Sequence, residues 1–150
     1  MLRTQPLNKM AINFSNTHIA FNLKNKVKIK SWITLVAKKE KVNIKQINYT
    51  FMSDEELLKI NSEYLKHTTY TDIITFNYNE GKNISGDIFI SIQRVKENAE
   101  KFDVKFEEEL QRVMIHGVLH LCGYKDKTKT DSDLMRRKEN ASLHLLNKTK

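Results

Sequence analysis

Apolar residues along the chain recur with two spacings, every second residue in some stretches and every third or fourth in others, and the switches between them outline an α+β domain. Ala11-Ile-Asn-Phe14 alternates briefly, as an edge strand does. From Asn25 to Lys41 the residues Ile29, Trp32, Ile33, Val36 and Ala37 repeat at helical spacing, with Lys26, Lys28, Lys30, Lys38 and Lys39 outside the stripe. Ile44, Ile47, Tyr49 and Phe51 mark a second strand. Ser53 and Glu56 then form a capping box for a helix through Leu57, Leu58, Ile60, Asn61 and Tyr64. Ile73 to Phe76 and Ile88 to Ile90 are β-rich runs on either side of a polar loop, so they are expected to pair as neighbours.

Helical spacing returns from Ile92 to Phe102, and Asp103 reads as the cap of the next helix. That helix carries Glu107, Glu108 and Glu109 in its first turns, where the helix dipole favours anions, and an apolar face of Leu110, Val113, Met114, Gly117, Val118 and Leu121. Thr130-Asp-Ser-Asp-Leu opens a last helix that turns Met135, Leu143 and Leu146 inward and Arg136, Arg137 and Lys138 outward. Repeats and low-complexity linkers are absent from the sequence. The expectation is one domain spanning residues 1–150, a four-stranded mixed sheet packed with about five helices.

The chemistry concentrates in His116-Gly-Val-Leu-His120-Leu-Cys-Gly123-Tyr-Lys-Asp126. Residues four apart share one face of a helix, so His116 and His120 can reach the same ion. Gly123 can adopt the left-handed conformation that ends a helix, returning the chain so that Asp126 approaches from the side. Three protein ligands leave a coordination position open, and on zinc that position holds a water acidified to roughly pKa 7, the arrangement of a hydrolase. A hydrogen-bonded histidine pair on a half-buried helix is the bland alternative, and the added glycine and carboxylate weigh against it. The ligand spacing is also that of metzincin proteases, but their general-base glutamate would stand where this chain has Gly117. Glu109 lies on the same meridian as the histidines; it reads either as a partner for a histidine N–H or as a solvated first-turn acid. Cys122 reads as a small buried filler beside the site.

The segment HGVLHLCGYKD resembles the signature of the YbeY family of bacterial metalloendoribonucleases, H-G-x-L-H-L-x-G-Y-D-H. Thr71-Asp-Ile-Ile-Thr-Phe76 is similar to that family's T-[DN]-V-L-S-F strand, Ser85-Gly-Asp-Ile-Phe-Ile-Ser91 to its L-G-D-I-x-I-S strand, and Met135 with Glu139 to its M-x-x-x-E helix. The resemblance spans about residues 43–145. It implies single-strand-specific endoribonuclease activity, with maturation of the 3′ end of 16S ribosomal RNA, ribosome quality control and the small ribosomal subunit as context. Two departures stand out. The third ligand, His in the family, is here Asp126, which shifts the expected metal from Zn2+ alone toward harder divalent ions as well. An arginine that the family carries six residues before the T-D strand is replaced by Leu65; Lys66 and His67 are the neighbouring candidates for substrate contact, with Lys125, Lys127 and Arg136 nearer the metal ligands.

Composition adds the partner. A net charge of +8, from 26 Lys and Arg against 18 Asp and Glu, favours a polyanion; RNA, DNA and an anionic membrane all qualify on charge, and the resemblance implies RNA. A single cysteine suits a reducing compartment, and Met1 to Lys9 is too polar for a signal peptide, so the expected location is the cytoplasm. A non-catalytic ribosome-associated RNA-binding protein would share the charge and needs no activity, and a metzincin-like metallopeptidase would share the ligand spacing.

Overall fold

The computed structural model describes residues 11–148; the polar stretch Met1 to Lys9 lies outside the described residues. Along the chain run β1 (Ile12–Asn16), α1 (Lys26–Lys39), β2 (Asn43–Met52), α2 (Asp54–Leu65), β3 (Ile73–Asn77), β4 (Asn83–Ser91), α3 (Ile92–Lys101), α4 (Phe106–Leu121) and α5 (Lys129–Lys148). The strands form one mixed sheet in the order β1-β2-β4-β3, with β1, β2 and β4 parallel and β3 antiparallel to β4. The Ala11–Phe14 stretch is indeed at the sheet edge, and the two β-rich runs pair as neighbours.

Alternation along β2 and β4 sends Ile47, Tyr49, Phe51, Ile84, Ile88 and Ile90 into the main core beneath α1, α4 and α5. On the opposite face Met52, Leu57 and Ile74 make a smaller cluster with Phe76 and Phe89 under α2. Ser53 caps α2 as the capping box requires, accepting from the Glu56 backbone N–H at 3.2 Å. Helix α4 is tied into the core by Tyr49, whose buried hydroxyl donates to the Met114 carbonyl at 2.9 Å, and α5 by the Trp32 indole, which donates to the Ser142 carbonyl at 2.7 Å.

One local expectation fails. Asp103 does not cap α4: it sits in the left-handed region at φ 55°, and Lys105 occupies the cap position without a side-chain bond. Asp is among the few non-glycine residues that take this conformation cheaply, so Asp103 serves the turn between α3 and α4 instead.

Two glycines set how closely the elements approach. A Cβ on Gly117 would stand 3.0 Å from Ile88 Cδ1 and 3.1 Å from Ile73 Cδ1, so α4 lies tight on β3 and β4. At Gly86 a Cβ would meet the Phe76 carbonyl oxygen at 2.6 Å and Leu121 Cδ2 at 2.9 Å. The first of these neighbours is backbone and cannot swing aside. Gly86→Ala is therefore expected to destabilise the fold by about 1–3 kcal/mol, the range for overpacking a core, measured as a shift in the urea unfolding midpoint; an unchanged midpoint would show that strands β3 and β4 have slack here.

Candidate metal centre

The last two turns of α4 present His116 and His120 side by side, their ring centroids 4.6 Å apart and their planes nearly perpendicular. Beyond Leu121 the chain turns at Gly123, whose φ of 107° is in the left-handed region, while Gly123 N–H donates to the His120 carbonyl and Tyr124 N–H to that of Leu119. Tyr124 then anchors the turn through its hydroxyl, which donates to Glu40 on the adjoining helix end at 2.8 Å. The result is the return that the glycine led us to expect: Asp126 Oδ2 lies 3.1 Å from His116 Nε2 and 3.3 Å from His120 Nε2.

Each imidazole is held by its other nitrogen. His116 Nδ1 is 2.6 Å from Glu139 Oε2, and His120 Nδ1 is 2.9 Å from the Tyr124 carbonyl oxygen. Both partners are acceptors, so in the neutral rings the protons sit on Nδ1 and the Nε2 lone pairs face the Asp126 carboxylate. Two lone pairs pointing at an anionic oxygen repel it unless a cation lies between them or a ring takes up a proton. Ligands at about 2.0–2.1 Å around a tetrahedral ion stand roughly 3.3 Å from one another, which matches both Nε2 to Oδ2 separations. The three donors thus fit a divalent metal ion in number, spacing and tautomer, and they are the one such group among the described residues.

Around the donors the electrostatics are graded by burial. Burial works against a charged His116, yet the bonded Glu139 carboxylate, with Asp126 and Asp72 nearby, lifts the imidazole above its ordinary range. Burial also opposes ionisation of Glu139, but His116, Arg112 and Arg136 together hold it below the usual carboxylate range. Arg112 reaches Glu139 Oε1 at 3.0 Å, so the carboxylate that orients His116 is itself fixed. Cys122, half-buried beside the site, is pushed up to about 11, chiefly by burial, so its thiol is held in the neutral form.

Two clefts open onto the trio. The larger, about 690 Å3, runs from the donors along β3 and is walled by Leu65, His67 and Thr71 on one side and Lys127 on the other. A smaller one, about 340 Å3, lies between the ends of α3, α4 and α5 and includes Glu109, Arg112, Arg136 and Glu139. His116, Asp126 and Asp72 line both. Of the substrate-contact candidates, His67 lines the larger cleft and Arg136 the smaller, whereas Lys66, in the left-handed C-cap of α2 at φ 58°, and exposed Lys125 line neither. Lys127 is the one Lys or Arg in the larger cleft among the described residues.

Sequence reasoning missed two acids here. Glu139 entered only as part of a motif, although an acid in register with the inward residues Met135, Leu143 and Leu146 of α5 was a signal that it faces the core. Glu109 is neither a solvated acid nor a partner of a histidine: it is 6% exposed, and burial with Asp72 nearby pushes its carboxyl up. It lies in the cleft flanked by α3 and α5, which helix periodicity cannot report.

The family model described as endoribonuclease YbeY matches residues 11–147. An endoribonuclease YbeY of Flavobacterium johnsoniae is 52% identical over 132 residues, covering 88% of this chain and 94% of that protein. One from Cytophaga hutchinsonii is 50% identical over 135 residues, covering 89% and 94%. A solution structure of a Thermotoga maritima protein superposes with a TM-score of 0.64 at 28% identity, covering 90% of this chain and 88% of that one. With the match running through every strand and helix that builds the metal centre, the chain belongs to the endoribonuclease YbeY family.

Proposed function

We propose that this protein is a zinc-dependent, single-strand-specific endoribonuclease of the cytoplasm, acting on ribosomal RNA at the 3′ end of the 16S species and in quality control of the small ribosomal subunit. The observation that carries the reading is the pair of Nε2 atoms 3.1 and 3.3 Å from Asp126 Oδ2, at the meeting point of two open clefts. Zinc bound there supplies Lewis acidity to a phosphoryl oxygen and activates water near neutral pH. Glu139 and the Tyr124 carbonyl keep the imidazoles in the tautomer that offers Nε2. Lys127 stands where a phosphate in the larger cleft would meet its charge, and His67 faces the same space. Substitution of aspartate for a third imidazole lowers the net positive charge of the centre and leaves room for other divalent ions.

The peptidase alternative loses its footing at position 117. A glutamate there has no room, since even a Cβ would press on Ile88 and Ile73, and the backbone faces the sheet. A non-catalytic RNA-binding role draws support from Leu65, which lines the larger cleft with an uncharged side chain. Incubating the full chain with an end-labelled RNA, as a single strand and within a duplex, separates the readings: internal cleavage of the single strand alone is the expected result. Tight RNA binding without cleavage would contradict the enzymatic reading and favour the assembly-factor one.

RNA binding should also weaken steeply with salt. For each phosphate neutralised on a single strand, log affinity is expected to fall with a slope of roughly 0.7 against log salt, and Lys127→Gln should reduce the slope by about one such increment. A slope near zero in anisotropy titrations would contradict a polyanionic partner.

A further inference from the structure

The smaller cleft contains two features that the metal chemistry does not use. Phe102, at the C-cap of α3, lines it with a ring that is 54% exposed and so free to stack on a planar ligand. Glu109 lines it too, a residue 6% exposed whose carboxylate makes no hydrogen bond or ion pair among the described residues and faces the cleft. The other acids there are engaged: Glu139 by His116 and Arg112, Asp126 by the histidines, and Asp72 by the Asn98 amide at 3.3 Å. With no buried side-chain oxygen left without a partner among the described residues, the Glu109 oxygens are open to the cleft, where they can accept from a ligand carrying N–H groups.

We propose that this cleft is a nucleobase subsite that reads a guanine beside the scissile phosphate, Phe102 stacking on the ring and Glu109 accepting from guanine N1–H and N2–H. The proposal rests on the endoribonuclease reading and adds base preference to it. His116 and Asp126 line both clefts, so a phosphate at the trio leaves one flanking nucleoside in the smaller. Glu109 precedes His116 by seven residues on one helix face, roughly 10 Å along the axis, comparable to the reach from a phosphate to the far edge of its base. Among the four bases guanine alone sets two adjacent donors on its Watson–Crick edge; adenine and cytosine pair their amino group with a ring acceptor, and uracil flanks its one N–H with carbonyls, so each would turn a lone pair toward the carboxylate. The Lys101 ammonium, 5.7 Å from the centroid of Phe102, strengthens the ring as a platform without filling the cleft.

The test is anisotropy binding of the zinc-loaded full chain, read on ice at times before cleavage accumulates, to the pentamers UUGUU, UUIUU with inosine, UUAUU and UUUUU. Guanine is expected to exceed inosine, which lacks the N2 amino group, by about tenfold or more. Glu109→Gln should erase that difference, Glu109→Asp should keep part of it, and Phe102→Ala should weaken all four about tenfold. Thermal unfolding of each variant establishes that it is folded. Equal binding of the guanine and inosine strands, a preference that survives Glu109→Gln, or binding of none of the four would overturn the subsite. Equal cleavage of all four by the metal-loaded protein would remove the subsite and leave the endoribonuclease reading standing, whereas guanine-selective binding with no cleavage of any RNA would uphold the subsite and remove that reading.

Discussion

Replacing His116 with alanine is expected to strip the protein of stoichiometric metal and abolish RNA cleavage while the fold survives. The ring sits at the edge of the core, 20% exposed, and its contacts are polar: Nε2 toward Asp126 and Nδ1 toward Glu139. Its loss leaves Glu139 still paired with Arg112, so no buried charge is orphaned. Two donors remain of three, and the affinity lost should exceed the roughly 10–100-fold that follows removal of an outer hydrogen-bond partner. Glu139→Gln supplies that smaller effect as an internal scale, since it touches the ring and not the ion. Elemental analysis of untagged protein after dialysis reads both. One equivalent of metal retained by His116→Ala would place the ion elsewhere.

Asp126→Ala is expected to weaken zinc binding by several kcal/mol, about three orders of magnitude, through loss of a charged ligand. Asp126 is the most exposed of the three donors, at 37%, so the substitution removes little packing and the effect is read cleanly as metal affinity. Asp126→His should keep zinc bound and reduce the tolerance for manganese and magnesium, because an imidazole is a softer donor than a carboxylate. Competition titrations with a chromogenic chelator at fixed pH measure all three proteins. Equal zinc affinity in the parent and Asp126→Ala would remove Asp126 from the ligand set and leave its position between the two Nε2 atoms as a simple ion pair.

The parts of the site legible in the sequence are those written locally. His116 and His120 declare themselves by a spacing of one helical turn, and Gly123 by the single residue type that turns the chain at φ 107° without strain. Together these brought Asp126 to the centre from within eleven consecutive residues. The strand pairing of β3 with β4 and the inward faces of α1, α4 and α5 followed from periodicity in the same way. What stayed hidden depends on contacts between distant segments. Glu139 is 23 residues from the ring that it orients, and the bond between them exists because α5 crosses α4 at that height. Glu109 looked solvated because its own helix turn is acidic, yet it is set back in the cleft between α3 and α5. Asp103 was read as a cap from its residue type, while the turn that it occupies required a left-handed residue. The cationic candidates divided on the same ground: Lys125 and Lys127 are equivalent in sequence, and only the direction of the chain after Gly123 puts Lys127 in the cleft.

The most direct test of a metal centre that cuts RNA is a reconstitution titration: the full chain, stripped by chelator and cleared of it, is supplied with zinc in fractional equivalents while the initial rate of cleavage of one single-stranded RNA is recorded. A rate that is absent in the stripped protein, rises linearly and breaks sharply at one zinc per chain is the predicted result. Cleavage that persists undiminished in the stripped protein would contradict the account.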